Sequence, residues 1–284
     1  MVRKVFVDMS KLQCNVCHHQ CKLSINQIGL CNARSNIDGK VASINYGEIT
    51  SIALDPVEKK PLRRFYPSSN ILSVGSFGCN LKCTFCQNHE ISMAKKNEIK
   101  TQHVTPENLV QIALDLKPRG NLGIAYTYNE PLVGYEYVRD CAMLAKKHQL
   151  KNVVVTNGSF NEEVLNEIIP YIDAFNIDLK GFSDEFYKSI GGDFETVKNF
   201  IKSAQSQAHI EITTLIIPDE NDSEEEIINL TDFIASIDEN IPLHISRFFP
   251  NYKMKQKSPT EIKKIYGLAN IAKKKLKYVY EGNC

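Results

Sequence analysis

Ile71-Leu72-Ser73-Val74-Gly75-Ser76-Phe77-Gly78-Cys79-Asn80-Leu81-Lys82-Cys83-Thr84-Phe85-Cys86 decides how the rest of this chain is read. A β-rich run from Ile71 to Phe77 meets a glycine, and three thiols follow, spaced three and then two residues apart. Iron–sulfur cubes are usually held by four cysteine thiolates, and structural zinc also closes its sphere with four ligands. Three ligands on one short loop therefore leave an incomplete sphere, a place where a substrate or cofactor binds iron directly.

Outward from that loop, short β-rich runs alternate with longer helical ones. Strands are predicted at Ile71–Phe77, Leu122–Tyr126, Asn152–Val155, Ala174–Leu179, Ile210–Ile217 and Leu243–Phe248, with Tyr278–Tyr280 as a seventh. Thr105-Pro106-Glu107 caps a helix whose Leu109, Ile112, Ala113 and Leu116 share a face, and Ser223 with Glu226 forms a capping-box pattern before Ile227, Leu230, Ile234 and Ile237. Further helices are predicted over roughly 132–149, 161–170, 184–206 and 259–275. Repeated β-then-α units imply parallel strands joined by right-handed crossovers, so the expected fold is α/β, a partial (β/α)6 TIM-type barrel spanning residues 66–284. Residues 1–65 read as a separate cysteine-rich module, with Ile44–Ile49 and Ser51–Leu54 expected to form a small hairpin.

The 284 residues, 43% of them hydrophobic, suffice for a full core, and a formal charge of +1 offers no electrostatic case for nucleic acid or an anionic membrane as main partner. Met1–Asp8 has no apolar run of signal-peptide length, and no stretch is long and apolar enough to span a bilayer, so a cytoplasmic protein is expected. Seven of the nine cysteines fall into two tight groups, which in such a chain favours metal over disulfides. Cys141, inside an apolar helical stretch, reads as a buried inert thiol, and Cys284 as a free tail.

In a barrel, the loops after the strands share one face, so a site recruits residues from several strand ends. The three-thiol loop follows the first strand, Thr127-Tyr128-Asn129-Glu130-Pro131 the second, and Thr156-Asn157-Gly158 the third. Asp178-Leu179-Lys180 ends the fourth, and Ser246-Arg247 the sixth. Solvated loops are polar anyway; five polar ends beside a three-thiolate site argue for chemistry.

These residues carry a family resemblance. Cys79-x3-Cys83-x2-Cys86, with Phe85 before the last thiol, resembles the signature of radical S-adenosylmethionine (SAM) enzymes. Asp55-Pro56-Val57-Glu58-Lys59-Lys60-Pro61-Leu62, Phe77 through Ser92, Tyr126–Pro131 and Asp178–Lys180 together resemble the pyruvate formate-lyase activating-enzyme-like group, most closely the AmmeMemoRadiSam system radical SAM enzymes. The resemblance implies that Cys79, Cys83 and Cys86 bind three irons of a [4Fe-4S] cluster and that SAM occupies the fourth. Reductive cleavage then gives methionine and a 5′-deoxyadenosyl radical that takes hydrogen from a substrate. It further implies that Phe85 contacts the adenine, that Asn129-Glu130 stand where relatives carry a glycine-glycine-glutamate segment facing the SAM amino group, that Thr156 and Asn157 lie near the ribose, and that Lys180 lies near the carboxylate. Arg247 is a further candidate, equally readable as a buried ion-pair partner. A low-potential electron donor of flavodoxin or ferredoxin type, a protein or peptide substrate, and Memo-like and AMMECR-like partner proteins are implied as well.

Cys14-x2-Cys17-x3-Cys21 and Cys31 supply four more thiolates, enough for zinc or a second iron–sulfur cluster. His18 and His19 lie between them, either substitute ligands or surface histidines. Lys59-Lys60-Pro61-Leu62-Arg63-Arg64 reads as a solvated basic loop or a docking site. Three functions stay open on the residues: a radical SAM enzyme acting on a protein or peptide, one acting on a small molecule or other macromolecule, and a non-catalytic zinc-binding interaction module.

Overall fold

The computed structural model describes residues 11–284; the expectation that Met1–Asp8 carries no signal peptide lies outside them. Small antiparallel pairs come first: β1 (Leu12–Gln13) with β2 (Lys22–Leu23), and β3 (Arg34–Ile37) with β4 (Lys40–Ser43). The next strands are β5 (Glu48–Ile49), β6 (Ser51–Pro56) and β7 (Asn70–Gly75), followed by α1 (His89–Ser92), β8 (Gln102–His103) and α2 (Pro106–Asp115). The alternation then runs β9 (Asn121–Tyr126), α3 (Tyr135–Lys147), β10 (Lys151–Thr156), α4 (Glu162–Ile168), β11 (Ala174–Asp178), α5 (Asp184–Ser189), α6 (Phe194–Gln205). It ends with β12 (His209–Ile216), α7 (Glu224–Ile237), β13 (Leu243–Arg247), α8 (Ile262–Ala272) and β14 (Val279–Gly282).

The central sheet has eight strands in the order β14-β13-β12-β11-β10-β9-β7-β6, parallel throughout except for β6. Six crossovers join its parallel strands, which is the expected partial barrel. Each predicted strand lies within two residues of an observed one. Long apolar runs such as Val153-Val154 and Ile124-Ala125 are buried because helices cover one face and the lumen the other. No helix among the described residues is long and apolar enough to cross a membrane.

Three expectations change. The hairpin over 44–54 does not form: β5 pairs with β8, while β6 joins the central sheet as its antiparallel edge, from Ser51 opposite Gly75 to Pro56 opposite Asn70. The sheet thus crosses the expected boundary near residue 65. The helix over 184–206 is two helices, because Gly191 turns at φ +71° and Asp193 restarts the chain by accepting the Thr196 N–H at 2.9 Å. Only half of the capping box at α7 forms: Ser223 Oγ accepts the Glu226 N–H at 3.0 Å, but the Glu226 carboxylate turns away to take the Phe182 N–H.

The basic run is solvated only in part: Lys59, Arg63 and Arg64 are exposed, while Lys60 and Leu62 are buried. Val57, Leu62 and Phe65 pack on Ile71, Ala125, Val153 and Ala174, the inward residues of four adjacent strands, and close the barrel floor. Small Ala125 and Ala174 leave the room that this plug needs. Above it comes a polar layer: Asn176 donates to the Pro61 carbonyl at 2.9 Å, and the buried Glu211 carboxylate accepts the Arg63 and Arg64 N–H groups at 2.9 and 2.7 Å. This plug closes the lumen at the end where the strands begin.

Candidate active site

The loop after β7 is held by backbone from several elements. Gly78 adopts φ +92°, and a Cβ there would lie 2.6 Å from the Cys31 carbonyl oxygen, so only glycine permits this approach. Cys79 N–H donates to that same carbonyl at 3.1 Å, Lys82 N–H to the Ile190 carbonyl at 2.7 Å, and Lys253 N–H to the Thr84 carbonyl at 3.0 Å. Leu81 is fully buried beneath the loop. The result aims Cys79, Cys83 and Cys86 into one cavity of about 730 Å3.

That cavity is also lined by Phe85, Asn129, Glu130, Thr156, Asn157 and Lys180, so all six residues expected to meet SAM share one space with the thiols, and Arg247 does not line it. Arg247 instead donates to the Thr260 carbonyl at 2.7 Å and lies over the Phe249 ring. Phe85 is buried, its ring 6.3 Å from Phe186. Lys180 pairs with Asp178 at 3.0 Å; burial would discharge it, but Asp178 and Cys83 hold the ammonium charged.

The two side chains expected to face an amino group are already engaged by the protein. Glu130 accepts the Leu132 N–H at 3.1 Å, the Thr156 hydroxyl at 2.8 Å and the Asn157 N–H at 2.8 Å. Burial pushes its carboxyl up to about 7 against the pull of those three donors. Asn129 accepts the Ser76 N–H at 2.9 Å and donates to the carbonyls of Phe77 and Gly78 at 3.1 and 3.0 Å. Both tie the ends of β7, β9 and β10 together and fix the rim.

Sequence reasoning missed a second constellation that lines the same cavity, Asp55, Lys60 and Tyr128. Tyr128, at φ +73°, donates its hydroxyl to Asp55 at 2.9 Å, and buried Lys60 reaches the same carboxylate at 3.0 Å with its ammonium 4.8 Å from the Tyr128 ring centre. Burial works to raise the Asp55 carboxyl, yet Lys60 and Tyr128 hold it at about 2. Gly75 makes room, since a Cβ there would lie 2.8 Å from the Tyr128 ring. The signal available was Tyr128, which with Asn129 stands where the resemblance implies two glycines, a hint of unusual backbone.

The donor set agrees with a cube rather than a single ion. Among the described residues no three His, Cys, Asp or Glu side chains converge tightly enough for one ion; ligands of a four-iron cube sit on separate irons and stand farther apart. Burial pushes the Cys83 thiol up to about 11 while nearby Lys180 pulls it down, and Leu81 N–H and the Asn157 amide approach the Cys79 sulfur at 3.4 and 3.8 Å. Cationic and N–H support of this kind is what bound thiolates require.

An open, mostly parallel α/β barrel with three thiols on its first loop and polar groups at the following strand ends defines an enzyme built to hold a cofactor-binding cluster. Residues 73–231 match the Radical SAM superfamily, and the chain belongs to it. An uncharacterized protein of Methanocaldococcus jannaschii is 38% identical over 98% of this chain and 83% of its own length. Pyruvate formate-lyase 1-activating enzyme of Escherichia coli is 23% identical over 55% of this chain and 65% of its own length. The crystal structure of Streptococcus suis SuiB superposes with a TM-score of 0.57 at 15% identity, covering 74% of this chain and 48% of SuiB, a likeness of fold. The chain is accordingly a radical SAM oxidoreductase whose cofactors are a [4Fe-4S] cluster and SAM, with a reductant required. The reading as a non-catalytic zinc module is overturned by that membership.

Proposed function

We propose that Cys79, Cys83 and Cys86 hold the [4Fe-4S] cluster and that the chain acts on a protein or peptide in the manner of an activating enzyme. When bound, the reduced cluster supplies the electron that splits SAM into methionine and the hydrogen-abstracting 5′-deoxyadenosyl radical. The chain's residues orient and shield. Phe85 stacks beside the adenine, Thr156 and Asn157 meet the ribose, and Lys180, kept charged by Asp178, meets the carboxylate. Glu130 and Asn129 act through the rim they brace, because their hydrogen-bonding capacity is already engaged.

The observation that carries this reading is the gathering of three loop thiols and six separately predicted residues on one cavity. A macromolecular substrate is supported by the relative named as activating pyruvate formate-lyase. The finer placement among AmmeMemoRadiSam system enzymes is supported by the Asp55–Leu62, Tyr126–Pro131 and Asp178–Lys180 runs, each of which contributes to that cavity. It carries with it Memo-like and AMMECR-like partners, and a flavodoxin or ferredoxin as donor.

Anaerobic reconstitution, dithionite reduction and SAM should yield 5′-deoxyadenosine from the natural chain and none from Cys83→Ala, which should lose iron at the same time. Full cleavage by Cys83→Ala would refute the ligand assignment. Deuterium appearing in 5′-deoxyadenosine from a labelled peptide, and not from labelled small molecules, is the expected substrate result; the reverse would make the substrate a small molecule.

A further inference from the structure

We propose that Cys14, Cys17, Cys21 and Cys31 form a second, tetrathiolate iron–sulfur centre that is hydrogen-bonded to the catalytic loop and tunes the Cys79 sulfur, with His18 and His19 as couplers rather than ligands. The inference rests on the cluster assignment above. It begins with the local geometry of the thiols.

Backbone N–H groups point at the sulfurs in a repeated pattern. His19 N–H faces Cys17, Ala33 N–H faces Cys31, and Leu81 N–H faces Cys79, each two residues beyond the sulfur that it serves. Cys17 and Cys31 thus meet the same arrangement of N–H donors as the catalytic Cys79, the kind of donor that metal-bound sulfurs accept from. The chain also folds back between them: Cys14 N–H donates to the Cys21 carbonyl at 2.9 Å and Gln20 N–H to the Cys17 carbonyl at 3.1 Å. Cys14, Cys17 and Cys31 are buried, while Cys21 is half-buried.

The histidines are occupied elsewhere. His18 Nε2 faces the Gly191 carbonyl at 3.1 Å and so carries the proton, leaving Nδ1 to accept the Ser159 hydroxyl at 3.0 Å. Both ring nitrogens are thereby engaged, which removes His18 as a ligand. His19 Nε2 donates to the Asn80 carbonyl at 2.8 Å, inside the catalytic loop.

From there a continuous path leads to the catalytic sulfur. The Asn80 side chain donates to the Ser159 carbonyl at 2.8 Å and accepts the Asn157 amide at 2.9 Å, and that amide also approaches the Cys79 sulfur at 3.8 Å. A second path is shorter still: the Cys31 carbonyl accepts the Cys79 N–H, so one peptide hydrogen bond joins a residue of each thiol group. Hydrogen bonds to cluster sulfurs are among the factors that set a cluster's potential. The N-terminal centre therefore shapes the catalytic one by holding these donors in place.

The test uses the full chain in two arms. The first asks for the second centre in a protein that lacks the catalytic trio: Cys79→Ala, Cys83→Ala and Cys86→Ala combined, reconstituted anaerobically and analysed for iron, sulfide and zinc. It should retain thiolate-bound metal and lose it when Cys17→Ala is added. Iron with sulfide identifies the cluster; one zinc per chain without sulfide, or no metal at all, would overturn the proposal, because among the described residues no three of these thiols converge on a single ion. Because Cys17 is buried, Cys21→Ser serves as a milder second variant, and the trio-deficient background carrying it should also lose metal. Retention there would remove Cys21 from the centre and overturn the four-ligand set.

The second arm places His19→Ala in the otherwise natural chain. It should keep the N-terminal metal, yet alter the electron paramagnetic resonance signal of the reduced catalytic cluster and change its reduced-to-oxidised ratio at fixed poise by about threefold. An unchanged signal and ratio would overturn the coupling, and loss of the N-terminal metal would make His19 a ligand and overturn its assigned role. If the natural chain carries no iron at the catalytic trio, the proposed function fails, while the first arm still decides the second centre on its own.

Discussion

At the scale of single residues, the buried polar groups show how the lumen is kept in order. Glu211 is fully buried, accepts two backbone N–H groups, and pairs with His209 at 3.0 Å and His244 at 2.6 Å. Burial alone would raise its carboxyl, but these partners hold it at about 2, below the ordinary 4.5. A depressed carboxyl contributes stability that is complete above its unfolded value and is lost as pH falls toward the folded one. The natural chain should lose up to ~3 kcal/mol of unfolding free energy between about pH 4.5 and pH 2 through this group. Glu211→Gln should be less stable by about 2 kcal/mol near neutral pH and flatter across the acid range, as read by urea unfolding at several pH values. Glu130, by contrast, should reveal itself in binding: Glu130→Ala frees three donors at the rim and should weaken SAM binding roughly tenfold or more in equilibrium dialysis, a loss of about 1–3 kcal/mol. Most of the hydrogen-bond partners of these two side chains were not readable beforehand, because Thr156, Asn157, Arg63, Arg64 and His244 lie far away in sequence.

At the scale of elements, caps and glycines gave the most legible signals. Ser223→Ala should cost about 1 kcal/mol in thermal or urea unfolding, since the hydroxyl caps α7 whether or not Glu226 completes the box. Gly123 in β9 is a stricter requirement: a Cβ there would lie 1.8 Å from the Lys151 carbonyl oxygen on β10. Gly123→Ala should therefore break the β9–β10 register and leave little folded protein, visible as lost cooperative unfolding; a mild shift in Tm would contradict the close approach. The parallel strands and their helices could be read from apolar runs and cap residues alone. The edge strand β6 was legible in part, as Ser51–Leu54, but its pairing with β7 was not, because that partner follows a 13-residue excursion, from Val57 to Ser69, that sequence patterning treats as loop. Likewise, a helical pattern crosses Gly191-Gly192 smoothly, and only the backbone reveals the break.

At the scale of the whole molecule, the cluster loop and six lining residues were legible as a set because one fold rule sends loops after parallel strands to a common face. The floor was not. A run of four basic residues with one proline and one leucine reads as surface, yet Leu62 and Lys60 are buried, one in the plug and the other against Asp55. Lys60→Ala should leave Asp55 with Tyr128 and exposed Lys59 as its hydrogen-bonding partners among the described residues. The expected result is lower stability by about 1–3 kcal/mol, with the cluster's iron content unchanged, measured by calorimetry and iron analysis side by side.

The sheet's two ends, β14 and β6, do not pair, and residues at both ends, Glu281 to Asn283 and Asp55 to Arg63, border the same cavity. A sealed cylinder admits only what can be threaded down its axis, whereas a cleft along one side can take a polymer broadside. On the protein or peptide reading proposed above, an interior position of a long chain would then meet the three sulfurs with both of its termini still outside.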